Sequence, residues 1–150
     1  MIVPIVAYGD PILKLKASEI SSNELNKLDT LIDDLWETMY NANGVGIAAP
    51  QIGISKKIFI ADFSFFKDEE GFNENELLKM QQVFINPEIV NETGDDFVYP
   101  EGCLSIPNIS ENVVRKEKLK IKFLDENLES QTIICSGIIA RVIQHEYDHL

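Results

Sequence analysis

Residues 136–150 read SGIIARVIQHEYDHL, and no other segment restricts the possible folds as strongly. Ile138, Ile139, Ala140, Val142 and Ile143 leave a helix starting at Ser136 or Gly137 apolar nearly all round over its first turns. Such a helix is buried, so the rest of the chain has to fold around it. His145, Glu146, Asp148 and His149 follow on the same helix and enter the interior with it. An unpaired buried charge is costly, and pairing or metal ligation removes that cost. The two histidines are the only ones in 150 residues, and they lie four apart, a little over one turn, so they stack on one face. With Glu146 after the first of them, this is the helical H-E-x-x-H pattern: two imidazoles on one metal ion and a Glu as general base.

The remainder of the sequence predicts what encloses that helix. Ser21 and Glu24 fit a capping box, and Leu25, Leu28, Leu31, Ile32, Leu35 and Met39 follow the helical period up to a terminator at Gly44. Strand-like runs follow at Ile58 to Phe63, at VFINPEIV with Pro87 marking an edge or bulge, and around Leu119 to Leu124 and Ser130 to Cys135. Turns are expected at NETGDD (91–96) and at Asp125-Glu126-Asn127, and an acidic loop at 64–82 with one helical turn near Glu76 to Met80; its part from Asp68 to Gln82 reads as an insertion. A helix, then strands, then a helix, without β–α–β alternation, is an α+β pattern: mainly antiparallel β-sheets around a central buried helix, plus an N-terminal helix. No repeat or linker divides the chain, so residues 1–150 form one domain.

Composition limits the partners. With 25 acidic against 13 basic residues and a net charge of -12, general nucleic-acid or anionic-membrane binding is excluded. No run approaches the roughly 18 apolar residues of a membrane span. The start, MIVPIVAYGDP, lacks the basic leader of a signal peptide, which places the chain in a reducing cytoplasm, where Cys103 and Cys135 are core, ligand or nucleophile.

Two histidines need at least one more protein ligand, and only Leu150 follows His149, so a Cys, Asp or Glu upstream must supply it. Cys103 is the best candidate: it sits in EGCLS, where Gly102 permits close backbone approach. Cys135 lies ten residues before His145, some 15 Å along a helix axis, and fits a small buried hydrophobe instead. Three protein ligands leave one position for water, as in a catalytic site.

Three segments, GVGIAAPQ (44–51), EGCLS (101–105) and HEYDH (145–149), resemble in order and rough spacing the signature motifs of the bacterial peptide deformylases. The resemblance spans nearly the whole chain. It implies an α+β fold with the H-E-x-x-H helix enclosed by sheets, and metal-dependent removal of the formyl group from N-formylmethionyl nascent peptides with release of formate. It implies Cys103, His145 and His149 as metal ligands, Glu146 as the proton carrier, and Gln51 with the backbone amide of Leu104 as oxyanion donors. One divalent ion is implied, Fe2+ in the cell with Zn2+ or Ni2+ able to replace it, and a transient contact with the ribosome. Family members continue past the last histidine, commonly with a Gly soon after the following Leu. This sequence stops at Leu150, so the usual C-terminal extension is expected to be lacking and His149 to lie on a fraying helix end.

Helix geometry adds a substrate pocket. At about 100° per residue, Ile138, Arg141 and Val142 project within about 60° of His145. Ile138 and Val142 would wall an apolar pocket suited to methionine, with Val45 opposite and Arg141 either at its mouth or snorkelling on the surface. The stretch around Val45 and Gly46 could pair with the substrate backbone as an added strand. Glu101, Asp148 and Arg115 are candidates to fix the histidine tautomers. Two rival functions are a zinc peptidase or other amidase using H-E-x-x-H, and a truncated, inactive metal-binding domain.

Overall fold

The computed structural model describes residues 1–7, 9–66, 80–103 and 106–150; the side chains of 65, 66, 97, 103 and 106–111 are outside the description. The first helix, α1 (Leu28–Asn41), buries Leu28, Ile32, Leu35 and Met39, a stripe spaced four, three and four residues apart. Ser21 and Glu24 do not form the expected capping box. Residues Ser22–Lys27 wind as a tighter 3-10 turn, Ser21 Oγ donates to Glu24 Oε1 (3.1 Å), and that carboxylate also receives Lys56 Nζ (2.9 Å). The helix ends in a Schellman motif: Gly44 N donates to Met39 O (3.0 Å) and Asn43 N to Tyr40 O (3.1 Å). The left-handed residue is Asn43 (φ 58), with Gly44 one place beyond.

Among the described residues the strands form one five-stranded sheet in sequence order, every pair antiparallel. They are β1 (Gly46–Ala48), β2 (Ile58–Asp62), β3 (Gln81–Cys103), β4 (Ile106–Leu124) and β5 (Ser130–Ser136). The expected turn at 91–96 is a bulge instead: the ladder slips between Thr93 and Asp96, and β3 runs through. Gly94 (φ 85) absorbs the slip, and a Cβ there would come within 2.4 Å of Glu117 Cγ. The expected bulge at Pro87 is present, with the register shift between Ile85 and Glu88 and Asn86 at φ 48. The turn after β4 forms as expected, the Asp125 carboxylate accepting from Asn127 N (2.9 Å) and Glu129 N (3.0 Å). The expected helical turn at 76–80, and nearly all of the 68–82 insertion, lie outside the described residues.

Alternation along the strands explains the layering. Ile47, Ile58, Ile60, Val83 and Ile85 pack towards α1, while Ala48, Phe59, Ala61 and Phe84 pack with the second helix, α2 (Gly137–Tyr147). Both faces of β1, β2 and the first residues of β3 (83–85) are therefore covered, which is why the apolar run at Ile58 shows no alternation in sequence. In β4 and β5 Leu119, Ile121, Phe123, Ile133 and Cys135 turn inwards, and Lys118, Lys120 and Lys122 stay exposed. Among the described residues no helix is long and apolar enough to cross a membrane.

Candidate active site

α2 opens at Gly137 (φ 65) and sinks Ile139, Ala140, Val142 and Ile143 into the cluster shared with the sheet. The helix ends at Tyr147, short of His149, and backbone hydrogen bonds continue beyond it. Asp148 N, His149 N and Leu150 N each donate back to Gln144, Glu146 and Tyr147 carbonyls at 3.0–3.1 Å, and Leu150 O accepts from Ala17 N (3.2 Å). His149 is thereby held with its ring 5.2 Å from that of His145, at 76°. One donor atom each of His145, Glu146 and His149 lie within 4.8 Å of one another.

The electrostatics differ sharply among these groups. Glu146 is buried, and burial, reinforced by the negative charge of Glu101, pushes its carboxyl up to about 8. Among the described residues nothing hydrogen-bonds its Oε2. Gly46 of β1 lies directly against it: a Cβ there would sit 3.0 Å from Glu146 Cγ and 3.1 Å from Oε1. His149 is pushed down to about 4 by burial and by its neighbour His145, so its ring is neutral, the form that ligates metals.

His145 is oriented from behind. Its Nδ1 meets Glu101 Oε1 at 2.8 Å, and with an ionised acceptor that nitrogen carries the proton, which leaves Nε2 as the nitrogen with the lone pair. Arg115 forks onto Glu101, Nε to Oε2 (2.8 Å) and Nη2 to Oε1 (2.9 Å), and reaches Asp148 Oδ2 with Nη1 (2.6 Å). Burial alone would raise the Glu101 carboxyl, but Arg115, His145 and Arg141 outweigh it and hold it at about 2. Glu101, Arg115 and Asp148 thus occupy the supporting places the sequence offered them.

Gln51 is 1% exposed in the 3-10 turn Ala49–Ile52. Its Oε1 accepts from Ala48 N (3.0 Å), which fixes the amide with Nε2 as the opposite, donor end. Val45 and Ile138 are half-buried and Val142 is buried; the Val45 carbonyl accepts from Asp62 N (2.8 Å), so one side of this segment is already in the sheet. Arg141 departs from expectation. It does not snorkel on the surface but is 2% exposed, donating to Glu101 Oε2 and to Val113 O (2.9 Å). A buried guanidinium needs acceptors, and β3 and β4 supply them. Cys135 is buried in the core and pushed up to about 12 by burial, an inert thiol as expected. The Cys103 side chain and Leu104 lie outside the described residues.

An antiparallel sheet backed by two helices, one of them bearing an H-E-x-x-H constellation with its Glu buried and its histidines half-buried, fits a class: a hydrolase of the helical H-E-x-x-H type. Within that class the comparisons are specific. The family model for polypeptide deformylase matches residues 2–150, and the chain belongs to that family of enzymes. It is 50% identical to the peptide deformylase of Christiangramia forsetii, covering 100% of this chain and 78% of the relative. A Met-Ala-Ser-bound class I type b peptide deformylase from Acinetobacter baumannii superposes with a TM-score of 0.85 at 37% identity, covering 100% and 93% of the two chains. The Synechococcus elongatus peptide deformylase in complex with actinonin gives 0.84 at 36% identity, covering 99% and 73%. Family membership decides against the zinc-peptidase reading of the sequence.

Proposed function

We propose that this chain hydrolyses the formyl group from N-formylmethionyl peptides, releasing formate and a free amino terminus, at a site holding one divalent metal ion. The observation that carries this reading is Glu146: a buried carboxylate with no donor on Oε2 among the described residues, packed between Gly46 and two imidazoles. The donor set fits a metal, since His145 has Nδ1 engaged behind it and His149 is held neutral. His145, His149 and Cys103 would hold the ion, which when bound polarises the formyl carbonyl and acidifies water. A mixed thiolate and imidazole set accepts Fe2+, Zn2+ or Ni2+, and Fe2+ is the expected ion in the cell.

This chain's own residues supply the rest. Glu146 takes the proton of the attacking water and passes it to the peptide nitrogen as the C–N bond breaks. Gln51 Nε2 and the Leu104 amide donate to the oxygen on which negative charge develops. Ile138, Val142 and Val45 wall the pocket for the methionine side chain. β1 is the outermost strand on its side of the sheet, so Val45 and Gly46 lie where an extended peptide can add as a further strand. The tripeptide in the Acinetobacter relative, Met-Ala-Ser, has the form of the deformylated product.

Turnover of formyl-Met-Ala-Ser is compared with that of an unformylated peptide of the same sequence and with a longer internal peptide. The expected result is stoichiometric formate from the first and no cleavage of the others. Cleavage of internal bonds with formyl groups left in place would refute the proposal, and so would a metal-loaded protein inert to all three.

A further inference from the structure

Arg141 sits one helical turn before His145, so both side chains leave α2 on the same face, and one carboxylate, Glu101, meets both of them. Burying a guanidinium is expensive, and this one is among the largest fully buried side chains in the molecule. Neutralising Glu101 does not require it, because Arg115 already forks onto both carboxylate oxygens. The contribution of Arg141 is geometric. Arg115 approaches from β4, Arg141 adds a donor from α2 on Oε2, and His145 takes the remaining direction on Oε1. Nη1 of Arg141 also binds the Val113 carbonyl (2.9 Å), and its guanidinium carbon lies 5.7 Å from the centre of the Tyr99 ring. A cation over a ring face adds a further attraction. One side chain therefore joins α2 to β3 through Glu101 and Tyr99, and to β4 through Val113.

We propose that Arg141 is a positioning residue for the metal site: it fixes the Glu101 carboxylate so that His145 is held as its Nδ1–H tautomer with Nε2 directed to the metal. This rests on the reading of His145 as a ligand, and it replaces a substrate-contacting role for Arg141. Loss of such a supporting partner typically weakens metal affinity or activity about 10- to 100-fold.

The chain has two histidines, so long-range imidazole 1H–15N spectra of the metal-free protein resolve each tautomer without ambiguity. In the wild type, His145 is expected as the Nδ1–H form. In Arg141→Met it is expected to shift towards a mixture, with the Zn2+ dissociation constant from chelator competition rising about 10-fold or more. The kcat for formyl-Met-Ala-Ser should fall while KM stays near the wild-type value. Arg141→Lys, which keeps a charged donor for Glu101, should recover most of the tautomer and of the affinity. If Arg141→Met does not fold, Arg141→Gln replaces it, with the same expected direction. An unchanged tautomer and dissociation constant, with only KM or side-chain preference altered, would overturn the proposal in favour of a substrate contact. A lower melting temperature alone would overturn it in favour of packing. Wild-type protein that binds no Zn2+ would overturn the ligand reading itself, whereas wild-type binding unaffected by Arg141→Met overturns only the role of Arg141.

Discussion

The two helices solve opposite problems. α1 keeps Asp29, Asp33 and Glu37 exposed and turns an apolar stripe inwards, where Thr38 is its one buried polar side chain. α2 is apolar through its first turns and then buries Arg141, Gln144 and Glu146. Gln144 is satisfied by the Lys116 and Ala140 carbonyls, at 3.0 and 3.2 Å, and Arg141 by Glu101 and Val113. Glu146, with no donor on Oε2 among the described residues, stands between the histidines. The contrast separates scaffold from site. Substitution in α1 should change stability and spare the chemistry, and substitution at Glu146 should do the reverse.

The largest effect expected is on α2. Glu146→Gln should lower formate release by about 100- to 10,000-fold, the range for loss of a general acid–base. Its stability should not fall with its activity. Glu146 is held at about 8, above its ordinary 4.5, so its protonated form favours the fold below pH 4.5 and that advantage disappears as pH rises to 8. Metal-free Glu146→Gln should therefore melt higher than metal-free wild type at pH 9, by calorimetry with chelator present. A variant both inactive and unfolded would break the contrast.

On α1, Leu35→Ala empties a site with 0% exposure and should cost about 2–5 kcal/mol in denaturant unfolding, with kcat per folded molecule unchanged. Gly46→Ala lies between the two regions. Its methyl would press on the Glu146 side chain from a fully covered strand, and small displacements of reacting groups cost up to about 100-fold in rate. The expected outcome is a fall in kcat exceeding any change in melting temperature. The smallest effect is at low pH. Glu101 is held at about 2, below 4.5, so its contribution is complete above pH 4.5 and is lost as pH falls from there towards 2. Glu101→Gln should flatten the melting-temperature profile across that window and leave it parallel to wild type above it.

The same contrast shows how much could be read from sequence. α2, β2 and the turn at Asp125 were legible because burial on all sides, burial on both faces and a side chain bonding its own backbone each leave a local pattern. The bulge at 91–96 was not, because Gly and Asn serve a tight turn and a bulge equally well and only the pairing of Asp96 with Lys116 across the ladder separates them. Gly44 stands just beyond the C-terminal cap of α1, as expected, while the positive φ falls on Asn43 one place earlier. At the site, the H-E-x-x-H pattern could be singled out by residue type and spacing, and it brings His145, Glu146 and His149 together; the Cys103 side chain lies outside the described residues. The direction of Arg141 along α2 was also available, but its partner Glu101 lies forty residues away, and no local pattern reports it.

The most direct test of the central claim, that α2 carries a metal-dependent site, is the metal content of anaerobically purified protein. It is measured for wild type, His149→Ala and Cys103→Ser, with formate release from formyl-Met-Ala-Ser assayed on the same samples. One ion per chain is expected in the wild type with full formate release, and substoichiometric metal with little formate in both variants. Equal metal content in all three proteins, or formate release that survives removal of the ion, would contradict the account.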